Sequence, residues 1–259
     1  MREVEILRID VSAKKAQVMK DDVAEEKPLF IFLNEAHYVT ISCSPSNLED
    51  LVVGRLLSEG IIETVSEIEK LDLEDETCHV KIKDGVNADK WARLLRENSR
   101  VIPSLRGNLS PYCHEVSLGK VESGLAVRAE TILNCVGRLD SMAETFIRTG
   151  GVHIAAIYRC DGTLVAFAED VSRHNAVDKT IGIAAMRETG FGGCFLALSG
   201  RLTGDIVRKA ARVAIPVVAS LAAAVDSGID AAKEAGLTLV GFVRGGGMNV
   251  YVYPERILA

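Results

Sequence analysis

The stretch AEDVSRHNAVDK, residues 168–179, concentrates two acids, an arginine, a histidine, an amide and an Asp-Lys pair in one short segment. An apolar β-like segment, 163–167, precedes it, and an apolar stripe of helical period from Val177 to Ala185 follows it. The polar cluster therefore stands where a strand ends and a helix begins. Ligands meet α/β proteins at such junctions, because the first N–H groups of a helix are unpaired. A capped helix start with solvated charges is the alternative explanation for one such junction.

The composition is that of an ordinary globular protein, and 259 residues suffice for one large domain or two modest ones. A net charge of −6 without a basic tail argues against general nucleic-acid binding. No apolar run is long enough to span a membrane and no signal peptide is evident, so we expect a cytoplasmic protein. The cysteines lack C-x-x-C spacing, which argues against zinc and for reduced thiols. They are Cys43, Cys78, Cys113, Cys135, Cys160 and Cys194.

The first third of the chain predicts a small α+β unit. Ser46 and Glu49 fit a capping box, which predicts the start of a helix that Gly60 ends. A hairpin is expected around Asn34-Glu35-Ala36-His37. The other expected elements are a loop or hairpin end at 20–27, strands at 3–10, 68–73 and 77–82, and a helix at 87–96.

Residues 98–120 contain several prolines and glycines and have no clear period, which predicts a long loop between two domains. We therefore divide the chain into a small α+β domain at 1–105, the long loop at 106–123 and an α/β domain at 124–259.

Cys113 is the thiol of this loop, next to His114 and with Arg106 in the same segment. A cysteine reacts only as a thiolate, which needs nearby positive charge and access. An ordinary loop thiol is the alternative. Cys135 and Cys194 stand in apolar periods and are interpreted as small core residues.

The second half of the chain alternates strands and helices with short connections, which predicts a largely parallel sheet covered by helices. The expected helices are 129–139, 142–148, 175–187, 203–213 and 226–235, and the expected strands are 152–158, 164–167, 194–198, 216–219, 237–243 and 248–252. The first two of these strands are expected to form a hairpin around Cys160-Asp161-Gly162, because Asp-Gly favours a tight turn.

Two further strand ends carry polar or glycine-rich turns, SGRLTG at 199–204 and GFVRGGG at 241–247. Glycines let a backbone come close to a ligand, and the planar fork of Arg244 suits a phosphate. Neighbouring strand ends of a covered sheet lie at one edge. We therefore expect Arg173, Arg201 and Arg244 to converge on one anion, although each junction alone has an ordinary explanation as turn chemistry or as a solvated arginine.

Better-known site motifs are missing from the sequence. It contains neither a P-loop nor a G-x-G-x-x-G fingerprint. A zinc deaminase would need H-x-E and P-C-x-x-C, and neither occurs. His153 stands on a predicted strand and is interpreted as a core or hydrogen-bonded histidine.

Several segments, in this order, resemble the formate dehydrogenase accessory sulfurtransferase (FdhD/NarQ) family. They are LEDL at 48–51 through SEGII at 58–62, TGGVH at 149–153, ED at 169–170, RHN at 173–175, DK at 178–179, SGR at 199–201 and LTLVGF at 237–242. The likeness continues to PER at 254–256.

This resemblance implies a cytidine-deaminase-like three-layer α-β-α core without zinc, a small N-terminal α+β domain and a homodimer. It implies that the protein is an accessory factor in the maturation of a molybdenum- or tungsten-dependent formate dehydrogenase, which would be its partner. A cysteine desulfurase would supply persulfide sulfur, which the protein would pass to the bis-molybdopterin guanine dinucleotide cofactor that it also binds. Guanosine diphosphate is then expected to mimic the cofactor.

The residues implied for cofactor binding follow from the same likeness. The family's cofactor-binding segment matches one loop here, and the arginine-bearing junctions add to it. The expected site consists of Phe242, Val243, Arg244, Gly245, Gly246, Gly247, Arg173, His174 and Arg201, with Cys113 as the catalytic thiol and no bound metal.

One departure from the family pattern changes the expected chemistry. Family members usually carry C-G-x-C-G in the long loop, with the first cysteine as the persulfide carrier. Here Ser110 takes the first position and Cys113 the second. Because a serine cannot carry a persulfide, either Cys113 has taken over the relay or the protein is a non-catalytic cofactor-binding chaperone. A divergent relative that acts on another nucleotide is a third, weaker interpretation.

Overall fold

The computed structural model describes residues 1–86 and 119–259, together with the backbone of 100–102. The predicted helix at 87–96, and both Ser110 and Cys113, lie outside these residues. No helix within the described ranges is long and apolar enough to cross a membrane.

The first part of the chain forms a hairpin arm and a five-stranded sheet of order β5-β6-β3-β4-β7. The predicted hairpin is confirmed, since Asn34 and Glu35 form its turn with φ values of 45° and 69°. The predicted loop at 20–27 is wrong in part, because strand β2 continues to Val23 and its Lys20 pairs with Glu3 across the arm. The strands are β1 (Arg2–Asp10), β2 (Lys15–Val23), β3 (Lys27–Leu33), β4 (Ala36–Cys43), β5 (Ile68–Glu74), β6 (Thr77–Ile82) and β7 (Arg100–Ile102).

Helix α1 (Leu48–Ser58) begins and ends close to the predicted positions, but not through the predicted capping box. The N-cap is Asn47 in the left-handed conformation, with φ 51°, and no side chain caps the helix. Asparagine tolerates this conformation better than most residues, so the chain turns sharply after β4 without a serine cap. Gly60, at φ 67°, ends the helix as predicted.

The second part of the chain forms a six-stranded sheet of order β10-β9-β11-β12-β13-β14. Its strands are β9 (His153–Arg159), β10 (Leu164–Asp170), β11 (Cys194–Leu198), β12 (Val217–Ser220), β13 (Thr238–Arg244) and β14 (Gly247–Val252), and the short strands β8 (Val127–Arg128) and β15 (Ile257–Leu258) pair with each other. The helices are α2 (Ala129–Gly137), α3 (Leu139–Met142), α4 (Glu144–Thr149), α5 (Arg173–Met186), α6 (Gly204–Arg212) and α7 (Asp226–Ala235).

The expectation of a largely parallel sheet is wrong. Only β11 with β12 and β12 with β13 are parallel, whereas β9 pairs antiparallel with both β10 and β11, and β13 pairs antiparallel with β14. A tight turn at Asp161-Gly162 joins β9 to β10, and another at Gly245-Gly246 joins β13 to β14. A tight turn can join only antiparallel strands, and the parallel pairs need the crossover helices α6 and α7.

Hydrophobic side chains cover both faces of this sheet. One cluster, which includes Ala155 and Leu196, packs with α5, α6 and α7, and a second, which includes Ala156 and Phe195, packs with α2. The predicted α/β class is therefore confirmed, and the cytidine-deaminase-like architecture stays a prediction. The first cluster continues through α1 into the five-stranded sheet, to residues such as Ile31. The domain boundaries also stay predictions.

Helices α1 and α5 cross at two glycines. A Cβ atom on Gly54 would lie 1.7 Å from the carbonyl oxygen of Asp178, and one on Gly182 would lie 1.9 Å from that of Asp50. No side chain fits at these distances, so the two backbones touch only because both positions are glycine. This contact joins the first part of the chain to the six-stranded sheet.

Replacing Gly54 by alanine should destabilise the protein by about 3 kcal/mol or more, since either helix must shift to admit the methyl group. Urea-induced unfolding measures the change. Gly137→Ala is the matched control, because it is also a helical glycine but a Cβ there meets nothing within 4 Å. It should be neutral or slightly stabilising. Equal loss of stability in both variants would contradict the close backbone contact of α1 and α5 at Gly54.

Candidate anion-binding site

The strand registers bring the predicted polar junctions to one edge of the six-stranded sheet, called here the carboxyl edge because β11, β12 and β13 end there. Leu198 at the end of β11 pairs with Ser220 at the end of β12. On the other side, Leu198 pairs with Ala155, near the beginning of antiparallel β9, and His153 pairs with Asp170 at the end of β10. The start of β9 therefore joins the ends of its neighbours.

Backbone hydrogen bonds hold the loops of this edge side by side. The loop that follows β12 lies between the other two predicted junctions. Its Ala223 carbonyl accepts a hydrogen bond from Leu202 N–H at 3.0 Å, and its Ala222 carbonyl accepts one from Phe242 N–H at 3.0 Å. The SGR turn after β11 and the glycine-rich turn after β13 are thus fixed to the same intervening loop.

Much of the polar stretch 168–179 points into the protein. Asp170 and Lys179 are fully buried and pair at 2.7 Å. Asp170 also accepts a hydrogen bond from the N–H of Ser44, and Asn175 donates to Asp170 and to the carbonyl of Ser42. Burial raises the pKa of Asp170, and the ion pair with Lys179 opposes that rise. These residues fasten α5 to the end of β4, so their role is structural.

Asp178, from the same stretch, belongs to a second buried network. Lys209 of α6 donates to both of its carboxylate oxygens, at 2.7 and 2.8 Å, and Ser58 of α1 donates to one of them at 2.6 Å. Arg55 lies 3.9 Å from Asp178 and also pairs with Glu59. Three helices, α1, α5 and α6, therefore meet at one charge-balanced cluster.

Glu169 has a third structural role. Its two carboxylate oxygens accept hydrogen bonds from the N–H groups of Thr145 and Phe146, at 3.1 and 2.7 Å. These are orphan donors of the first turn of α4, so the carboxylate caps that helix and complements its dipole.

Arg173 and His174 remain as the members of the stretch that belong to the carboxyl edge. The side chain of Arg173 lies against Gly200, where an added Cβ would be 3.0 Å from the Cβ and Cδ atoms of the arginine. Within the described ranges, three buried polar atoms here have no hydrogen-bond partner: Arg173 Nε, His174 Nδ1 and Thr203 Oγ1. Leaving such atoms unpaired costs about 1–3 kcal/mol each, which favours a polar ligand at this place.

The charge at the edge is positive. Burial and the neighbouring Arg201 lower the pKa of Arg173, and Asp205 of α6 opposes the shift. Burial lowers the pKa of His174 well below its usual value, and the cations Lys209 and Arg173 lower it further. The guanidinium groups of Arg173 and Arg201 thus repel each other beside the neutral imidazole of His174. A bound anion would offset this repulsion.

His153 is a site residue that the sequence analysis did not select. It lies at the start of β9, half-buried, and its Nδ1 is 3.5 Å from the hydroxyl of Ser199, so it is hydrogen-bonded as interpreted. Burial lowers the pKa of His153, and the positive charges of Arg173 and Arg201 lower it further. The available signal was its place at the start of a strand that the predicted hairpin pairs with β10, so that it stands beside the polar stretch 168–179.

Thr203 is the N-cap residue of α6, and its backbone is extended as an N-cap requires. Among the described residues its buried hydroxyl has no hydrogen-bond partner, so it does not cap the helix. The N–H of Gly204 donates instead to the hydroxyl of Ser227 at 3.3 Å.

The glycine-rich turn holds Arg244 at the same edge in a different environment. Its guanidinium carbon lies 5.0 Å from the centroid of the Phe242 ring, a cation–π contact. Phe242 has φ 52°, an unfavourable value for an aromatic residue, and Gly245 and Gly246 have φ 61° and 81°. Val243 is buried and Gly247 begins β14. The structure brings Arg173 and Arg201 together, and convergence of Arg244 on the same anion stays a prediction.

No group of three or more His, Cys, Asp or Glu side chains that could hold a metal ion occurs in 1–86 and 119–259. The absence of zinc stays a prediction.

The fold and this edge define a class: a mixed α/β protein with a cationic edge built from loops. Residues 24–258 match the FdhD/NarQ family, so the chain belongs to that family and the predicted resemblance is confirmed. Sulfur carrier protein FdhD of Methanothermobacter thermautotrophicus is 35% identical over 99% of this chain and 98% of its own, and that of Sulfolobus acidocaldarius is 37% identical over 92% of each. A crystal structure assigned as a formate dehydrogenase accessory protein of Desulfotalea psychrophila has a TM-score of 0.80 at 26% identity, over 99% of both chains.

Replacing Lys179 by methionine should lower the free energy of unfolding by about 3–5 kcal/mol, because Asp170 is left charged and buried without its cation. Burial already holds the pKa of Asp170 above its usual value, and loss of Lys179 raises it further. A carboxyl group whose folded pKa exceeds its unfolded pKa destabilises the fold increasingly as the pH rises from the unfolded to the folded pKa, so the deficit should shrink as the pH falls through that window.

Urea titrations across the acidic range measure both effects. Lys233→Met is the control, since Lys233 is exposed and its acid is 3.8 Å away, and it should change stability by no more than about 0.5 kcal/mol. If Lys179→Met is as stable as the parent at neutral pH, the structural role assigned to this pair is wrong.

Proposed function

We propose that the protein is a sulfur carrier that serves the maturation of a molybdenum- or tungsten-dependent formate dehydrogenase. The names of its relatives, sulfur carrier protein and formate dehydrogenase accessory protein, support this role. The observation that carries the ligand assignment is the carboxyl edge, which has two adjacent guanidinium groups and three buried polar atoms for which the described residues supply no hydrogen-bond partner.

The cargo proposed for this edge is the bis-molybdopterin guanine dinucleotide cofactor, which contains diphosphate groups. The forks of Arg173 and Arg201 suit phosphate oxygens, and the unpaired N–H groups at the start of α5 add favourable dipoles. The turn 242–247 offers backbone groups and the Phe242–Arg244 pair to the guanine end. His174, as a neutral imidazole, adds a hydrogen-bonding group without further repulsion.

Replacing Arg201 by alanine should weaken guanosine diphosphate binding about 10- to 100-fold, the usual value of one or two charge-assisted hydrogen bonds. Titration calorimetry measures the dissociation constant. Because Arg201 is exposed, the variant should remain folded. Arg159→Ala is the control, since Arg159 is equally exposed but ends β9 at the opposite edge. Equal affinities of parent, Arg201→Ala and Arg159→Ala would remove the anion site.

The sulfur-carrying step is assigned to Cys113. Among the described cysteines, Cys43, Cys78, Cys135 and Cys194 are buried. Burial raises the pKa of Cys43 and of Cys78 to about 12, so neither forms a thiolate near neutral pH. Cys160 is exposed, in the turn between β9 and β10.

The proposed reaction needs no external oxidant or reductant. The Cys113 thiolate attacks the outer sulfur of a persulfide on a cysteine desulfurase, and a new S–S bond forms at Cys113. The S–S bond of the donor breaks, and its electron pair leaves with the desulfurase thiolate. The reducing cytoplasm and a homodimer are the setting that we propose for this transfer.

Mass spectrometry after incubation with a cysteine desulfurase and cysteine should show a gain of one sulfur atom per chain in the parent. Cys160→Ser should show the same gain as the parent, because exposed Cys160 is not the carrier. Cys113→Ala should show none, because the other described thiols are buried. Retention of the sulfur by Cys113→Ala would refute the assignment of the carrier.

A cofactor-binding chaperone without a covalent step is the second candidate, and Ser110 in place of the family's first cysteine favours it. That candidate requires guanosine diphosphate binding in a parent that gains no sulfur. It also requires that Cys113→Ala support maturation of the partner enzyme as well as the parent does.

A further inference from the structure

We infer that His153 is a further ligand-binding residue of the anion site: Ser199 fixes its ring so that Nε2–H is offered to the diphosphate, and the bound anion draws a proton onto the ring. The inference rests on the proposed function of the carboxyl edge. It adds a residue from β9 to a site otherwise built from α5 and from the turns after β11 and β13.

We assign the ring proton of His153 from its contact with the hydroxyl of Ser199. Its oxygen accepts a hydrogen bond from the N–H of Ile154 at 3.0 Å and lies 3.5 Å from Nδ1 of His153. With the oxygen already accepting, its hydrogen is free to be donated to Nδ1. Nδ1 then acts as the acceptor, and the ring proton resides on Nε2. The Nε2 atom has no hydrogen-bond partner in the described part of the chain.

The groups around His153 are cationic or neutral. Arg173 of α5 and Arg201 after β11 act on it electrostatically, and His174 of α5 is close enough to be affected by it. Asp170, its register partner on β10, is turned toward Lys179 instead. No carboxylate of the described residues therefore stabilises a positive charge on His153, and a ligand anion is the group that would do so.

His153 suits this role better than His174. Only 2% of the His174 side chain is accessible, and it faces Lys209 as well as Arg173. His153 is only half-buried, so part of it stays accessible to an anion. Burial and the two arginines hold its pKa below the usual value in the free protein, and a diphosphate would reverse the arginine contribution.

The linkage has a defined sign. If the pKa of His153 rises when the anion binds, one proton is taken up at pH values between the free and bound pKa. Affinity then increases as the pH falls, by at most about tenfold per pH unit for one proton. Guanosine diphosphate mannose is the appropriate probe, because its diphosphate is esterified at both ends and does not itself titrate near neutral pH.

The experiment measures the dissociation constant of this probe by calorimetry across the neutral range, for the intact chain and three variants. His153→Gln places an amide nitrogen near the position of Nε2 and should retain most of the affinity but lose the pH response. His153→Asn reaches only the Nδ1 position, toward Ser199, and should bind about tenfold more weakly while unfolding at the parent's temperature. His79→Gln, at an exposed histidine of β6, should behave as the parent does.

The outcomes separate this inference from the proposed function. If no form binds the probe, the anion site and the inference fall together. If the parent binds and His153→Gln keeps the parent's pH response, or if His153→Asn binds as tightly as the parent, the role of His153 is wrong while the anion site stands.

Discussion

Two buried ion pairs, Asp170–Lys179 and Asp178–Lys209, constrain the position of helix α5 and with it the functional edge. Buried charges are costly unless they are paired and hydrogen-bonded, and both pairs draw further bonds from the first part of the chain. Together with the contact of α1 and α5 at their glycines, these ion pairs fix the position of α5. Arg173 and His174, at its first turn, are thereby held at the carboxyl edge.

The site depends on the direction of a single strand. Because β9 runs antiparallel to β11, the residue that begins it stands beside the residues that end its neighbours. His153 thus meets the hydroxyl of Ser199 and the guanidinium groups of Arg173 and Arg201. A crossover connection to β9 would have left the edge with arginines but without this imidazole.

The distribution of thiols complements that of the charges. Burial keeps the described cysteines other than Cys160 in their protonated form, so a persulfide donor would find few competing nucleophiles on the folded chain. At the carboxyl edge, by contrast, Arg173 and Arg201 lie close enough to act on each other, in a protein whose net charge is −6.

The sequence by itself determined the family, the α/β class, most strand and helix positions, and the three turns that carry Arg173, Arg201 and Arg244. Local periodicity and turn residues report those features directly. Only the tertiary structure decided that Lys179 pairs with Asp170 and Asp178 with Lys209 inside the protein, that β9 lies beside β11 and that His153 belongs to the edge. Those facts depend on contacts between residues as distant in the chain as Ser44 and Lys179. Residue type alone does not tell whether a charged side chain is buried or solvated.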